Sequence, residues 1–586
     1  MKTQTLSAVA LAVLFSAPAF AGPEFDAWAE QLAAQRMRAN PVSATLQQYF
    51  KGEEQSKLDG RFASITKQAR LAQIADERRA LAELRAMDPK TLTADQKVSA
   101  GVIGWSLEQA IVAGEYLDDD FIFNQMSGLQ VQLVSFMSQQ QPLRNARDVQ
   151  SYLERLSGLA AQMDQGIERT QAAQAKGVLM PRFIIEKVIT QFETFLASEP
   201  ARNVLVTSLA ERLARVPGAD AEGARAQAEK IVAESVRPAW SRGLALMKAQ
   251  LPLSNNDAGV WRLPDGKKFY AAQLRTMTTT DYTPEQIHAI GLQQVARIEA
   301  EMDTLLKQLG YREGSVKDRY KQMDAANQPK AADPRPELLA RYTSILRDAE
   351  QRAKLLFDVL PKAPVEVRRE PALTEATAAA HYTAPAPDGT RPGIFWAPLP
   401  GPKYEIAEMR TLVYHEAVPG HHFQVTIQQE AQNLPAYRRG RVFGSGSAFG
   451  EGWALYSEQL VADAGWYDGD IPGRLGQLSD ALFRARRLVV DTGLHSLHWT
   501  RQQAIDYGIP ATEVDRYVVW PGQACAYMLG RLKIEALRDK AKAALGEKFD
   551  IKKFHNLVLL TGNVPLKVLE DVVDDWIAQS KPAQKA

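Results

Sequence analysis

Hydrophobic and polar residues follow the period of an α-helix through most of the first 360 residues. In the segment ITKQARLAQIADERRALAELRAM, apolar residues at spacings of three, seven and three lie on one helix face: Leu71, Ile74, Leu81 and Leu84. Residues 148–176 and 219–250 have the same pattern. Such faces are typical of core packing. They predict a nearly all-helical region from about residue 25 to residue 360.

One predicted helix has clear signals at both ends. Thr283 is a suitable N-cap, Pro284 follows at the first helical position, and Gln286 stands three residues after the cap, as in a capping box. Gly310 is a natural C-terminal cap. We therefore predict one helix from Pro284 to just before Gly310.

Proline and glycine become frequent between residues 361 and 402, where the helical pattern stops. The short runs VEVRRE, AAHYTA and GIFWAPL in this segment predict a small β element, with a long surface loop as the alternative. Helical patterning resumes at Tyr404 and continues to the end. The sequence therefore predicts a mainly α-helical fold, with an N-terminal helical region (residues 22–360) and a C-terminal region (residues 361–586) in one integrated unit.

The first residues, MKTQTLSAVALAVLFSAPAFAGPEF, contain a lysine, a short apolar run and the triplet Ala-Phe-Ala. This pattern is typical of a signal peptide over residues 1–21. A membrane anchor is the alternative, but no later segment approaches the roughly 20 apolar residues of a spanning helix. We expect a periplasmic or secreted protein without a membrane span.

Composition narrows the classes of function. The 586 residues are 45% hydrophobic and 24% charged, as in a soluble globular protein. The 70 basic and 69 acidic residues balance, which argues against nucleic acid as a partner. Cys525 is the only cysteine, so an intrachain disulfide is excluded.

The candidate chemistry lies in the sequence YHEAVPGHHF, residues 414–423. His415 and Glu416 match the start of the zinc-peptidase signature H-E-x-x-H, but the next histidines, His421 and His422, follow His415 by six and seven residues. The spacing therefore departs from a regular one-turn pair.

A Pro-Gly pair, Pro419 and Gly420, separates the histidines. Proline has no N–H and its ring collides with the preceding turn, so we expect the helix to bulge or kink there. A bulge that absorbs the extra residues would return His421 to the side of His415. His422 stays an alternative ligand, although a rise of about 10.5 Å along a regular helix would strain chelation of one metal ion.

A third ligand is predicted in the segment FGSGSAFGEGWALYSEQLVADAG. Glu451 begins an apolar helix 30 residues after His421, far enough for two helices to pack antiparallel. In isolation, a carboxylate there is explained by its favourable interaction with the helix N-terminus. Beside the histidine pair, it completes the three protein ligands of a catalytic zinc ion. Glu416 is then the predicted general base for water activated by zinc.

Four segments, YHEAVPGHHFQ, GEGWALYSE, VVDTGLHSLHWTRQQAIDY and WPGQACAYMLGRLKI, resemble the bacterial family of unknown function 885. That family is similar to the gluzincin peptidases and, more distantly, to angiotensin-converting enzyme and related helical peptidases. The resemblance covers most of the mature chain, and its strong motifs lie within residues 380–535. It implies a large helical fold with a deep cleft, one Zn²⁺ per chain on His415, His421 and Glu451, and Glu416 as the base.

Two further residues are candidate hydrogen-bond donors to the oxyanion of a tetrahedral intermediate. His495 and Tyr527 lie on apolar helical stretches, where such residues usually belong to the core. Tyr527 resembles the tyrosine that has this role in the converting-enzyme group. We therefore predict that both contribute to the site.

The sequence does not choose among five candidate ligands for a substrate carboxylate: Arg486, Arg487, His498, Gln523 and Lys533. His381, in AAHYTA, would face the cleft only if that run lines a substrate strand, which is the less favoured interpretation. His288 and His555 are interpreted as ordinary helix-face residues.

The sequence thus favours a zinc metallopeptidase that hydrolyses short peptides, in a cleft covered by the N-terminal region. The alternatives are a zinc hydrolase of non-peptide amides and a non-catalytic binding protein on the same fold. A G-x-S-x-G elbow and the glycine motifs of nucleotide-binding enzymes are absent from the sequence. The cleavage mode and the oligomeric state stay open.

Overall fold

A computed structural model describes residues 22–371, 375, 378–386, 389 and 391–581. The predicted signal peptide, residues 1–21, lies outside the described residues. The described residues form 26 α-helices and one three-stranded sheet, so the predicted mainly α-helical fold is confirmed. Within this part of the chain, every helix is too short or too polar to cross a bilayer.

Sixteen helices precede the sheet. They are α1 (Gly22–Ala39), α2 (Pro41–Gln47), α3 (Gly52–Asp59), α4 (Lys67–Ala86), α5 (Ala94–Ala113), α6 (Leu129–Ser135), α7 (Ala146–Ser157), α8 (Leu159–Gln174), α9 (Arg182–Ala197), α10 (Val204–Leu213), α11 (Ala221–Ile231), α12 (Arg237–Gln250), α13 (Gly266–Thr278), α14 (Pro284–Gln308), α15 (Val316–Ala326) and α16 (Arg335–Leu356). The capping box predicted for α14 is present, with Thr283 and Gln286 bonded to each other's backbone.

The three predicted β runs form a small sheet of β1 (Val365–Arg369), β2 (His381–Thr383) and β3 (Gly393–Ala397), in the order β1-β3-β2. β3 pairs in parallel with β1 and antiparallel with β2. The middle strand is the most buried of the three, and β2 is left at an edge. The sheet stands directly before the helix that carries the histidine motif, as the sequence predicts.

Ten helices follow the sheet. They are α17 (Met409–Glu416), α18 (His421–Glu430), α19 (Ala436–Arg439), α20 (Ala448–Asp463), α21 (Ile471–His495), α22 (Arg501–Asp506), α23 (Ala511–Val519), α24 (Ala526–Leu545), α25 (Ile551–Thr561) and α26 (Leu566–Ser580).

Helices from both halves of the chain share one apolar core. Phe25 of α1 and Leu346 of α16 belong to the same cluster of buried residues as Trp453 of α20, Phe554 of α25 and Val573 of α26. The early helices therefore support the later helices that carry the histidine and glutamate motifs.

Two glycines let α20 and α24 approach each other closely. A Cβ added to Gly530 would lie 2.0 Å from the carbonyl oxygen of Ala448, and one added to Gly452 would lie 2.5 Å from the Cα of Gly530. Both distances are too short for any side chain atom. This backbone contact fixes the first turn of α20 against the first turns of α24.

We expect Gly530→Ala to lower the free energy of unfolding by about 1–3 kcal/mol, because the new methyl group forces the two helices apart. Thermal unfolding followed by circular dichroism measures the change. Gly444→Ala is the matched control, since a Cβ at Gly444 meets nothing within 4 Å, and a surface substitution of this kind changes stability by at most about 0.5 kcal/mol. Equal unfolding midpoints for the two variants would contradict the close contact.

Candidate metal centre

The chain breaks its helix between the two candidate histidines. α17 ends at Glu416, residues 417–420 form a tight turn, and α18 begins at His421. A Cβ on Gly420 would lie 1.9 Å from the carbonyl oxygen of His415, so only glycine fits at this point. The break predicted from the Pro-Gly pair is therefore present, and it takes the form of a four-residue turn.

The turn is held from the side by α20. The carbonyl oxygen of Pro419 accepts hydrogen bonds from Trp453 Nε1, at 3.0 Å, and from Ser457 Oγ, at 3.2 Å. All three residues are buried. Because buried carbonyl groups need partners, α20 fixes the position of the turn and of the histidines beside it.

The structure brings His415, His421 and Glu451 together. Glu451 Oε2 lies 3.8 Å from His415 Nε2 and 3.5 Å from His421 Nε2. One potential ligand atom from each residue lies within 4.8 Å of the others. The two imidazole rings are nearly perpendicular, with centroids 4.8 Å apart. The three donors thus converge on one point from α17, α18 and α20.

Glu458 supports this group, although the sequence analysis did not single it out. Its Oε1 lies 2.7 Å from His415 Nδ1, and its side chain is fully buried. Seven residues separate Glu458 from Glu451, so both carboxylates project from the same face of α20. A second acid seven residues after Glu451, on a largely apolar helix, was the signal available in the sequence.

The buried charges act strongly on each other. Burial alone would lower the pKa of His415, but the carboxylates of Glu451 and Glu458 outweigh it and raise that pKa to about 10. Burial alone would raise the pKa of Glu451, but His415 and His421 hold it well below its usual range. The arrangement stabilises a carboxylate beside a positively charged partner.

Glu416 also faces the cleft, one position after His415. Its side chain is buried, and burial raises its pKa. The neighbouring Glu451 acts in the same direction, whereas His415, His421 and Arg484 lower the pKa. A carboxyl group in such an environment is suited to taking up and releasing a proton.

The structure directs His422 away from the three converging donors. Its Nδ1 lies 3.0 Å from the hydroxyl of Tyr382 on β2 and 3.2 Å from that of Thr426. Burial lowers its pKa to about 4. Of the two histidines left open by the sequence, His421 is the one that lies beside Glu451.

The three donors line a cleft of about 1240 Å³. Tyr527, in the first turn of α24, and the candidates Arg486 and Arg487 on α21 line the same cleft. His381 of β2 also lines the cleft, although the sequence analysis treated that position as the less favoured interpretation. The cleft is thus lined by the edge strand, by α16 and by six of the helices after the sheet: α17, α18, α20, α21, α23 and α24.

His495 is not brought to the cleft, and the expectation that it would be an oxyanion donor is wrong in this geometry. Its Nδ1 accepts a hydrogen bond from the backbone N–H of Val260, and its Nε2 lies 3.0 Å from the carbonyl oxygen of Tyr517. The residue is 1% exposed. Both ring nitrogens are already occupied in the core.

Three of the candidate carboxylate ligands are not among the residues that line the cleft, and each has another partner. His498 stacks on Trp261, Gln523 accepts a hydrogen bond from Arg516, and Lys533 pairs with Glu570. His288 bonds to Thr492 and His555 to Tyr456, as expected for structural residues.

The cleft contains charged residues that sequence reasoning missed. Asp480 and Arg484 of α21 form a buried ion pair, and Glu408 lies in the same wall. Glu513 and Arg516 of α23 face the cleft near Tyr527. No local motif marks these residues, because only the folding of α21 and α23 brings them to the site.

The chain belongs to a bacterial protein family of unknown function, DUF885, whose family model matches residues 41–573. No curated protein matches the chain significantly. A crystal structure of a protein from Colwellia psychrerythraea, provisionally described as a lipoprotein, is 30% identical. It matches with a TM-score of 0.85 over 94% of this chain and 99% of that chain.

A second solved structure, from Shewanella oneidensis, is provisionally described as a lipoprotein of unknown function. It is 18% identical, with a TM-score of 0.72 over 94% of this chain and 99% of that chain. At this identity, the likeness shows the fold alone. This chain and the two solved structures therefore share one fold.

The buried histidines outside the centre predict how stability depends on pH. Burial lowers the pKa of His495 and of His555 to about 4 each. Between that value and the unfolded value of about 6.5, the unfolded chain binds more protons. The stabilisation from each neutral histidine is therefore complete above pH of about 6.5 and is lost as the pH falls towards 4, on the order of 3 kcal/mol when protonation is complete.

We expect His495→Gln to flatten the decline of the unfolding midpoint between pH 7.5 and pH 5, because glutamine keeps one acceptor and one donor but does not titrate. Thermal unfolding at a series of pH values measures this slope. The wild type, measured over the same pH series, is the control. A wild-type slope in the His495 variant would show that His495 does not titrate as its burial requires.

Proposed function

We propose that this protein is a zinc-dependent metallopeptidase that hydrolyses peptide bonds in short peptides, with Glu416 as the general base. The observation that carries the proposal is the convergence of His415, His421 and Glu451 beside Glu416 in one cleft. Two imidazoles and one carboxylate match the ligand set of hydrolytic zinc sites, which leave one position for water. A purely structural metal site would have no use for the additional base.

The donor set fits zinc in its details. Glu458 bonds to His415 Nδ1, which leaves Nε2 directed towards Glu451. A carboxylate behind a histidine is the usual way to orient a metal ligand and to make it more basic. Glu458 Oε2 is buried and has no hydrogen-bond partner in the described part of the chain, so the carboxylate is held for His415 alone.

When bound, zinc would supply Lewis-acid activation, by which the pKa of a water molecule falls to about 7. Glu416 accepts the proton of the attacking water at its carboxylate as the water oxygen adds to the peptide carbonyl carbon. Glu416 then returns that proton to the amine nitrogen as the C–N bond breaks. Tyr527, whose hydroxyl lies in the cleft wall 3.3 Å from Arg516 Nη2, is the candidate donor to the substrate oxyanion.

The shape of the site favours short peptides. The cleft is lined by β2 and by helices that include α21, α23 and α24, and its volume of about 1240 Å³ suits a short peptide rather than a folded protein. We also propose that the protein acts outside the cytoplasm, because its first 21 residues have the pattern of a signal peptide and both related structures are described as lipoproteins.

Purified protein should contain about one equivalent of zinc, and His421→Ala should lose it because one of three ligands is removed. Elemental analysis after dialysis measures the metal content. His422→Gln is the matched control at the neighbouring position and should keep its zinc. Loss of zinc from the His422 variant alone would assign the second ligand to His422.

Glu416→Gln should retain zinc, but its turnover rate should fall by a factor on the order of 10²–10⁴. Glutamine keeps the size of the side chain and cannot accept a proton. A mixed peptide library, incubated with wild type and with this variant and read by mass spectrometry, measures cleavage. Cleavage by wild type alone supports the peptidase. Equal cleavage by both proteins would remove Glu416 from the mechanism.

Bound zinc without cleavage of any peptide would favour the two alternatives. An amide substrate that is not a peptide could use the same groups, whereas a binding protein would tolerate Glu416→Gln without any change in ligand affinity. The same two proteins, tested with amide substrates and in equilibrium binding, separate these cases.

A further inference from the structure

One face of α21 carries charged residues along the cleft. Asp480, Arg484 and Arg487 follow one another at spacings of four and three, so all three project to the same side. Arg484 and Glu416 line the same cleft. Arg487 lies one helical turn further on, a rise of about 5 Å. The wall around Arg487 is thus next to the catalytic centre and distinct from it.

Two guanidinium groups share a single carboxylate in that wall. Glu513 Oε2 lies 2.8 Å from Arg487 Nη2 and 3.5 Å from Arg516 Nη1. The hydroxyl of Tyr517 donates a further hydrogen bond to the same oxygen, at 3.1 Å. Since each arginine is always charged, the wall carries one positive charge that Glu513 does not balance.

Arg487 is deeply buried for a charged residue. Its side chain is 6% exposed, and its guanidinium lies over the rings of Tyr527 and Phe483, 4.4 and 4.6 Å from their centroids. Its Nε and Nη1 have no hydrogen-bond partner among the described residues. A buried cation with unused donors is unfavourable on its own and becomes favourable when an anion binds.

Arg516 is the accessible member of the pair. Its side chain is 20% exposed, it lines the cleft, and its Nη2 lies 3.3 Å from the hydroxyl of Tyr527. An incoming anion would therefore meet Arg516 and Tyr527 first. Movement of the shared Glu513 carboxylate would then free Arg487 Nη2, the donor to which it is now bonded.

We infer that Arg516 and Arg487 bind the free C-terminal carboxylate of the substrate, so that the enzyme cleaves peptides close to their carboxyl end. This inference rests on the proposed peptidase function. The planar guanidinium matches a carboxylate with two parallel hydrogen bonds, and a peptide amide offers no charge to replace it. One residue of extended chain spans about 3.3–3.6 Å, so the short step along α21 from Arg484 to Arg487 corresponds to one or two substrate residues.

The test uses one tetrapeptide library synthesised in two forms, with free carboxyl ends and with amide ends. Wild type, Arg516→Gln and Lys403→Gln are compared for cleavage by mass spectrometry. Lys403 is the matched control because it also lines the cleft with one positive charge, but it is exposed and stands on the loop before α17. Arg516→Gln leaves Glu513 balanced by Arg487, so this variant retains a paired carboxylate.

We expect wild type and Lys403→Gln to cleave the acid library about 10- to 100-fold faster than the amide library, the range expected for a hydrogen-bonded charge pair. Arg516→Gln should remove the preference for the acid library, so that the ratio of acid to amide cleavage falls to about 1. The released products should be short C-terminal fragments. Equal cleavage of both libraries by wild type, or an equal loss on both in Arg516→Gln, would overturn the inference while leaving the peptidase intact.

A binding measurement separates this inference from the proposed function. Each library is passed over immobilised Glu416→Gln protein, with and without the added Arg516→Gln substitution. Selective retention of acid peptides that depends on Arg516 supports the carboxylate site even if wild type cleaves nothing, in which case the peptidase proposal alone fails. Retention without any preference for the acid form overturns the carboxylate site.

Discussion

The candidate centre depends on the close approach of Gly420 to the end of α17. The backbone there leaves no room for a side chain, since a Cβ would lie 1.9 Å from the His415 carbonyl oxygen. The turn that this contact permits places His421 beside Glu451 and directs His422 to β2. One helix, α20, then holds the turn through Trp453 and supplies the carboxylate. The backbone geometry of this turn therefore determines the geometry of the candidate ligands.

The charges around this turn are not ordinary core residues. Glu458 and Asp480 each keep a buried oxygen without a partner in the described residues, and the Asp480–Arg484 pair is buried beside them. Removing such groups from water is costly unless a partner compensates for it. Perturbed, buried ionisable groups that meet at the wall of a cleft are the usual sign of a functional site. These residues therefore support the cleft as the candidate functional site.

Local signals in the sequence were enough to predict the helices, the strands and the residues at the centre of the candidate site. The cap at Thr283 marks the start of α14, and the Pro-Gly pair marks the break before His421, because both act through the neighbouring backbone. His495 and Tyr527 looked alike in the sequence, as polar residues on apolar helices. Only tertiary packing separates them, since the C-terminal end of α21 is enclosed next to Val260 and the start of α24 opens to the cleft. Arg487, Glu513 and Arg516 meet for the same non-local reason.

The contact between Gly452 and Gly530 links the parts of the site that different helices supply. α20 carries Glu451 and Glu458, α24 carries Tyr527, and the two helices touch backbone to backbone within one turn of Glu451. Arg487 in turn lies over the Tyr527 ring, so the arginine pair is positioned by the same contact. Because close-packed helices transmit displacements to their neighbours, a shift of α24 would move Tyr527 relative to His415 and Glu451 and would also move the ring on which Arg487 packs. In the proposed mechanism, a disturbance of this helix packing would therefore affect both the candidate oxyanion donor and the candidate carboxylate site.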